Sequence, residues 1–228
     1  MEFTSVNKLY QEAFKKNWDR PAISNYQGVT LHFRDVARRM EKLHIMFEEC
    51  GLQKGHKVAI CSRNQANWAV AFLATMTYGA VPVPLLHEFK SANIHHLVNH
   101  SEAKILFVDD VIWEGLSESE MPDLQAIIQV NNFKILFAAD EHISDAKEHL
   151  NELFGKKFPE SFEPDMLDYH EDSADELAVI NYTSGTSGFS KGVMIPYRAI
   201  FSNMQFARQA LPQLNNKSKV VSMLPCAH

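Results

Sequence analysis

The sequence predicts an α/β fold, with a mainly parallel sheet flanked by helices. Short apolar segments such as 58–61 and 104–108 are typical of strands that are buried on both faces. Segments with apolar residues at helical spacing, such as 65–78 and 90–100, alternate with them. Strand–helix–strand repeats favour parallel pairing with right-handed crossovers.

The elements are predicted in order from residue 5, because Ser5 is a good cap for an amphipathic first helix. A hairpin turning at Gln27-Gly28 comes next, and a helix over 34–50 ends before Gly51. The core elements that follow are a strand at 58–61, a helix at 65–78, a strand at 81–85, a helix at 90–100, strands at 104–108, 124–130 and 134–137, and a helix at 145–154.

The last third begins with a predicted connecting segment over 156–176, whose acidic residues at 163–176 indicate a solvated chain. Residues 177–195 are predicted to form a strand, a loop and a second strand. Pro196 then begins a helix that runs to about residue 211, and 219–223 is predicted as a last strand.

The amino-acid composition limits the class of protein and the kinds of partner. The chain has 228 residues, of which 46% are hydrophobic and 22% charged, as is usual for a soluble globular protein. A net charge of −6 with no basic cluster argues against nucleic acid as a partner. Three widely spaced cysteines argue against a disulfide framework and favour a cytoplasmic location.

One uncharged stretch, 68–86, is long enough to cross a bilayer. Gly79, Pro82 and Pro84 divide it into a helix and a strand, so we interpret it as buried core without a transmembrane segment. Residues 1–4 have neither the basic start nor the apolar segment of a signal peptide.

The most informative segment, 181–193, reads Asn-Tyr-Thr-Ser-Gly-Thr-Ser-Gly-Phe-Ser-Lys-Gly-Val. Glycines allow several backbone N–H groups to converge, and the hydroxyls and Lys191 add donors and charge, which suits a polyphosphate. The glycine spacing and the Gly192 that follows the lysine differ from a Walker A loop. A polar surface hairpin is the alternative interpretation of such a loop.

This segment resembles the phosphate loop of the adenylate-forming, or AMP-binding, superfamily: acyl-CoA ligases, nonribosomal-peptide adenylation domains and luciferases. That pattern is Tyr-Thr-Ser-Gly-Thr-Thr-Gly-x-Pro-Lys-Gly-Val, and residues 182–193 match it with Ser187 in place of Thr and Ser190 in place of Pro. Ser187 keeps a hydroxyl, whereas Ser190 loses the φ restriction that proline imposes.

Further segments resemble the same family, most closely a long-chain fatty acid–CoA ligase. They are the turn and strand at 54–60, the helix and proline-rich strand at 72–86, the strand at 101–108, and Leu-Pro-x-x-His at 224–228. The resemblance implies that residues 1–228 are the first part of the large N-terminal domain, with 177–195 as strand, phosphate loop and strand.

By this resemblance, the function is activation of a carboxylate, here a long-chain fatty acid, by ATP and Mg²⁺ to acyl-AMP, with transfer to coenzyme A. The predicted phosphate-binding residues are Thr183, Ser184, Gly185, Thr186, Ser187, Gly188 and Lys191, and Thr186 would contact Mg²⁺ through ATP. His228 would line the acyl pocket. Lys191 could instead serve a structural ion pair, and His228 could be a strand-end histidine with no special role.

The family's adenine-binding strand, ribose-binding aspartate and C-terminal domain follow the Leu-Pro-x-x-His segment. We therefore expect residues 1–228 to be inactive alone and to dimerise through uncovered apolar surface, with peripheral membrane contact left open. The alternatives are an amino-acid or aryl adenylation enzyme, and a non-catalytic phosphate-binding or scaffold module.

Two helical patterns are given structural interpretations. His96 and His100 are four residues apart on a predicted helix, but no third metal ligand is apparent, so a solvated helix face is expected. Trp68, Phe72 and Met76 recur at helical spacing and are expected in the core.

Overall fold

The computed structural model describes residues 2–183 and 191–227, and it begins with two helices separated by a hairpin. These elements are α1 (Val6–Lys16), β1 (Pro21–Ser24), β2 (Thr30–His32) and α2 (Phe33–Glu49). The Ser5 hydroxyl accepts a hydrogen bond from the Lys8 N–H, so it caps α1 as predicted.

A five-stranded sheet follows. Its strands are β3 (Lys57–Cys61), β4 (Val81–Leu85), β5 (Ala103–Val108), β6 (Ala126–Gln129) and β7 (Ile135–Ala138), in the spatial order β4-β3-β5-β6-β7. β3 pairs in parallel with β4 and β5, and β5 pairs in parallel with β6, whereas β7 is antiparallel to β6. The prediction of a mainly parallel sheet is confirmed.

Helices cover both faces of this sheet. They include α3 (Ala66–Tyr78), α4 (Ser91–His100), α5 (Asp110–Trp113), α6 (Glu141–Glu148) and α7 (Leu150–Lys157). Side chains alternate along β3, as in any strand. Val58 and Ile60 join the core cluster that contains α2 and α3, whereas Ala59 and Cys61 join the cluster that contains α4.

The uncharged stretch 68–86 lies in the core, as predicted. Trp68 and Met76 are buried on α3, every residue of β4 is buried, and the helix ends at Gly79, which has a φ of +89°. Within residues 2–183 and 191–227, no helix is long and apolar enough to cross a membrane.

Two secondary-structure predictions need correction. The single helix predicted over 145–154 is two helices, because the chain leaves the helical conformation at His149, which ends α6 and precedes α7. The strand predicted at 219–223 is absent from this described part of the chain. Val220 and Val221 are 77% and 80% exposed, and an apolar run without a pairing strand does not form a sheet.

The connecting segment before the last hairpin is not simply solvated, which corrects another expectation. Asp172 is only 4% exposed. Its carboxylate accepts hydrogen bonds from the Ser5 hydroxyl at 2.7 Å, from the Val6 N–H at 3.0 Å and from the Asn7 N–H at 2.8 Å. It therefore binds the N–H groups that the first turn of α1 leaves without helical partners.

The chain then forms an antiparallel hairpin beside β4, from β8 (Leu177–Thr183) and β9 (Lys191–Pro196), and continues into α8 (Tyr197–Ala210). Pro196 caps α8, close to the predicted start of the helix.

An ion pair joins the loops that follow β3 and β5. Arg63 donates to both carboxylate oxygens of Asp109, with Nε–Oδ2 at 2.8 Å and Nη2–Oδ1 at 3.0 Å. The Asp109 side chain is buried, while Arg63 is largely exposed. The hydrogen bonds from Arg63 lower the pKa of Asp109 to about 2.

We predict that Asp172→Ala destabilises the chain by roughly 2–4 kcal/mol, because three buried donors lose a charged acceptor. The free energy of unfolding from urea denaturation measures the effect. Asp168→Ala is the control, since Asp168 lies in the same segment but is exposed and forms an ion pair with Lys8 at the surface; it should cost at most about 1 kcal/mol. Equal losses in the two variants would contradict the assignment of Asp172 as a buried cap.

We also predict that Asp109 contributes to acid unfolding. Its pKa is lowered in the fold from 3.8 to about 2, so its stabilising contribution is present above the higher value and is lost as the pH falls towards the lower one. Asp109→Asn should therefore flatten the dependence of unfolding free energy on pH in that window. The exposed Asp123→Asn variant should retain the wild-type slope. A wild-type slope in Asp109→Asn would refute the prediction.

Candidate functional site

The β8–β9 hairpin forms the stem of the predicted phosphate loop. Its pairing register sets Thr183 opposite Lys191 and Tyr182 opposite Gly192. Thr183 and Lys191 are thus brought together as the last pair of the ladder, and both are exposed. The other predicted site residues lie outside the described residues: Ser184, Gly185, Thr186, Ser187, Gly188 and His228.

The stem is fixed because β8 contributes to two hydrophobic clusters. Ala178 and Val179 pack in the cluster that contains Val6 of α1 and Tyr197 of α8. Ile180 and Tyr182 pack in the cluster that contains β4 and α4. The position of Thr183 at the end of β8 is therefore determined by packing along most of the strand.

Gly192 allows the two strands of the stem to approach closely. A Cβ atom at this position would lie 3.1 Å from Ile180 Cγ2 and 3.2 Å from Tyr182 Cε1, closer than ordinary packing allows. A larger residue after Lys191 would therefore force Ile180 and Tyr182 to shift by a few tenths of an ångström. Sequence reasoning had used Gly192 only to distinguish the motif from a Walker A loop.

Tyr182 makes a contact that sequence reasoning missed. Its hydroxyl lies 2.7 Å from His100 Nδ1, at the end of α4, and the two rings pack edge to face at 5.7 Å. Burial raises the pKa of Tyr182, so the phenol stays protonated and able to donate to the imidazole. This hydrogen bond ties the base of the loop to α4.

The histidines of α4 form no metal site in the part of the chain that the structure describes, since no group of three or more potential ligands is found there. His96 and His100 are both exposed, as expected for a solvated face, with ring centroids 5.8 Å apart. The contact of His100 with Tyr182 is the feature that the helical spacing did not reveal.

The segment before His228 is held by Asn64, in the loop after β3. Asn64 Nδ2 donates to the Leu224 carbonyl at 2.7 Å, and Asn64 Oδ1 accepts from the Cys226 N–H at 2.8 Å. A polar residue just beyond the carboxyl end of a parallel strand was the available signal, because such positions commonly serve binding sites.

The described part of the site can therefore present two kinds of donor at the ends of the loop. Thr183 and Lys191 lie directly opposite each other on the two paired strands of the stem. Hydroxyl and ammonium donors of this kind stabilise phosphate oxygens. Thr183 and Lys191 are thus neighbouring donors at the end of the stem.

Comparisons with known proteins find related sequences. The family model described as "AMP-binding enzyme" matches residues 10–228. Long-chain-fatty-acid–CoA ligase 5 of Rattus norvegicus is 29% identical over 215 residues, which cover 87% of this chain and 30% of that protein. Surfactin synthase subunit 2 of Bacillus subtilis is 24% identical over 196 residues, covering 86% of this chain and 5% of that protein.

Solved structures show the same fold. Apo MatB from Rhodopseudomonas palustris superposes with a TM-score of 0.74 at 19% identity, covering 98% of this chain and 41% of that one. The ATP-bound crystal structure of MatB gives a TM-score of 0.72 at 21% identity, with coverage of 96% and 40%.

The matches cover most of this chain but a small share of its longer relatives. The chain spans 29–31% of the length of the long-chain-fatty-acid–CoA ligases of Rattus norvegicus, Drosophila melanogaster and Xenopus laevis and of fatty acyl-CoA synthetase A of Dictyostelium discoideum. The family model, in contrast, covers nearly all of this chain, including the hairpin stem and the segment held by Asn64. By the match over residues 10–228, this chain belongs to the AMP-binding enzyme family.

Proposed function

We propose that the protein containing these residues activates a long-chain fatty acid with ATP, forming acyl-AMP and then acyl-CoA. The observation that carries the proposal is the Thr-Ser-Gly-Thr-Ser-Gly segment, which begins at Thr183, the last residue of β8, and is closed by Lys191 on β9. The similarity to long-chain-fatty-acid–CoA ligases supports the choice of substrate.

In the first step, a carboxylate oxygen of the substrate attacks the α-phosphorus of ATP, and the bond to the bridging oxygen of pyrophosphate breaks. Negative charge grows on the leaving pyrophosphate, so donors fixed beforehand lower the barrier. We assign this role to the hydroxyls of Thr183, Ser184, Thr186 and Ser187, the N–H groups at Gly185 and Gly188, and the Lys191 ammonium group. Mg²⁺ bound to ATP would add charge compensation next to Thr186.

In the second step, the thiol of coenzyme A displaces AMP from the acyl carbon. We assign His228 to the wall of the acyl pocket, where Asn64 would fix the preceding residues Leu224 and Cys226. Because the chain spans less than a third of those relatives, we assign both steps to a longer protein. Alone, residues 1–228 are expected to associate through exposed apolar side chains such as Val220 and Met223.

Amino-acid adenylation is the second candidate, supported by the similarity to surfactin synthase subunit 2. A cytoplasmic location is proposed for either activity. All three cysteines, Cys50, Cys61 and Cys226, are free thiols, which suits a reducing compartment.

We predict that Thr186→Val weakens ATP binding by roughly ten-fold or more, since one hydroxyl contact to a charged phosphate is lost. Isothermal titration of ATP into the longest natural reading frame that contains these residues would measure it. Thr75→Val is the matched control, because Thr75 is fully buried in α3 and donates only to the Ala71 carbonyl at 2.8 Å. Similar losses in both variants would mean that Thr186 does not contact the phosphates.

We further predict carboxylate-dependent exchange between pyrophosphate and ATP by that same reading frame. Fatty acids of graded length should support exchange, whereas acetate, benzoate and amino acids should not. Exchange driven by amino acids alone would select the second candidate. A folded protein that binds ATP but exchanges with no carboxylate would overturn the enzymatic proposal in favour of a non-catalytic module.

A further inference from the structure

A cleft of about 460 Å³ lies on the helical face of the sheet that carries α2 and α3. We call it the basic cleft. Its lining residues are Arg39, Lys42 and Leu43 of α2, Asn67 of α3, Asn131, Asn132 and Phe133 between β6 and β7, Lys147 of α6, and Leu150 and Asn151 of α7.

The basic cleft is separate from the phosphate loop. The β8–β9 hairpin lies beside β4, at one edge of the sheet, whereas the residues 131–133 follow β6, near the other edge. They stand just beyond the carboxyl end of a parallel strand, the position at which open α/β sheets usually bind ligands. A ligand here would not compete with ATP for the same residues.

The charges in the basic cleft are unbalanced. Arg39, Lys42 and Lys147 are each half-buried, and among the residues that the structure describes no acidic one lines the cleft. Burial and the neighbouring Arg38 lower the pKa of Lys42, and burial and Lys42 lower the pKa of Lys147. Lys42 and Lys147 therefore repel each other, and the described lining of the cleft supplies no carboxylate to offset this repulsion.

Some lysines outside the basic cleft lie beside carboxylates. Lys8 lies 3.0 Å from an Asp168 oxygen, and Lys157 lies 3.5 Å from an oxygen of the buried Glu41. Holding three partly desolvated cations together without such a partner is unfavourable unless an anion is bound. The contrast suggests that the anion for the basic cleft comes from outside the chain.

Neutral amides hold two of these cations, Arg39 and Lys42, in place. Arg39 Nη1 donates to Asn67 Oδ1 at 2.5 Å, and the buried Asn67 is itself fixed by donating to the carbonyls of Val130 and Asn131. Lys42 Nζ donates to Asn151 Oδ1 at 2.7 Å. Amide oxygens orient a cation but leave its charge uncompensated, so both groups are positioned beforehand for an anion.

We propose that the basic cleft binds a small molecule through a phosphate group, which Arg39, Lys42 and Lys147 contact together. Three cations are sufficient to neutralise the double negative charge of a phosphate monoester. The planar guanidinium of Arg39 can donate hydrogen bonds to two of its oxygens. The volume lies in the range of small-molecule sites. Leu43 and Leu150 give the cleft an apolar base against which the body of the ligand would pack.

The test is an NMR titration of the isotope-labelled chain with inorganic pyrophosphate. The phosphate loop is also expected to bind this probe, so the signals to follow are the side-chain amides of Asn131, Asn132 and Asn151. They should shift saturably. Lys42→Gln and Lys147→Gln should each weaken the binding reported by these signals roughly ten-fold.

Two controls separate this proposal from the proposed function. Lys156→Gln removes an exposed cation of α7 outside the cleft and should leave the affinity unchanged. Thr186→Val should alter binding at the loop and leave the cleft signals as in the wild type. Static amide signals, or equal weakening by Lys156→Gln, would overturn the proposal and leave an unspecific basic surface.

Sedimentation with vesicles identifies the source of the phosphate. A soluble ligand predicts no binding to vesicles of phosphatidylcholine with added phosphatidic acid. Binding that Lys42→Gln abolishes and Lys156→Gln retains would support the same phosphate contact, made to a lipid headgroup. Vesicle binding that all variants retain, together with static amide signals, would overturn the proposal.

Discussion

The buried carboxylate of Asp172 fixes the segment before β8 against the start of the first helix. It joins the start of α1 to the segment that leads into β8, across more than 160 residues of sequence. A charged acceptor for the first N–H groups of a helix is favourable electrostatically, and burial makes the loss of that acceptor costly. These hydrogen bonds therefore fix the segment that leads into β8 against the start of α1.

From that point, β8 is held by contacts of different kinds along its length. Apolar packing involves Val179 on one side and Ile180 on the other, and the hydrogen bond between Tyr182 and His100 closes the series. Packing in proteins tolerates little displacement, because interiors are close to crystal density. Packing of β8 in the core therefore fixes the positions of Thr183 and Lys191, although both are exposed.

Local patterns in the sequence were sufficient for most of the fold. Short apolar segments predicted β3 to β7, and apolar residues at helical spacing predicted α2 to α4, because these elements bury apolar side chains in the core. The same reasoning failed at residues 219–223, where β-branched residues lack a pairing strand. It also merged α6 with α7, since apolar spacing does not report the backbone break at His149.

Contacts between distant residues were outside the reach of periodicity. The sequence around Asp172 does not distinguish it from the other acidic residues of its segment. The residues next to Asn64, Arg63 and His100 likewise do not indicate their partners. For the candidate site, the motif predicted the type of chemistry, and the register added that Thr183 faces Lys191. Pairing of polar side chains depends on tertiary geometry, so a single sequence predicts the residue types better than their partners.

Some cations of this structure have charged hydrogen-bond partners and others have neutral ones, and the two kinds of partner have different consequences. Where a cation meets a carboxylate, as Arg63 meets Asp109, the pair is satisfied internally and serves to join two loops. Where a cation meets an amide, as Lys42 meets Asn151, the geometry is fixed but the charge remains available. A bound anion gains most from groups that are already ordered, because less conformational entropy is then lost on binding. The same reasoning applies to the β8–β9 stem: packing along β8 already orders Thr183, and strand pairing sets Lys191 opposite it, so a ligand that contacted both would cost less conformational entropy.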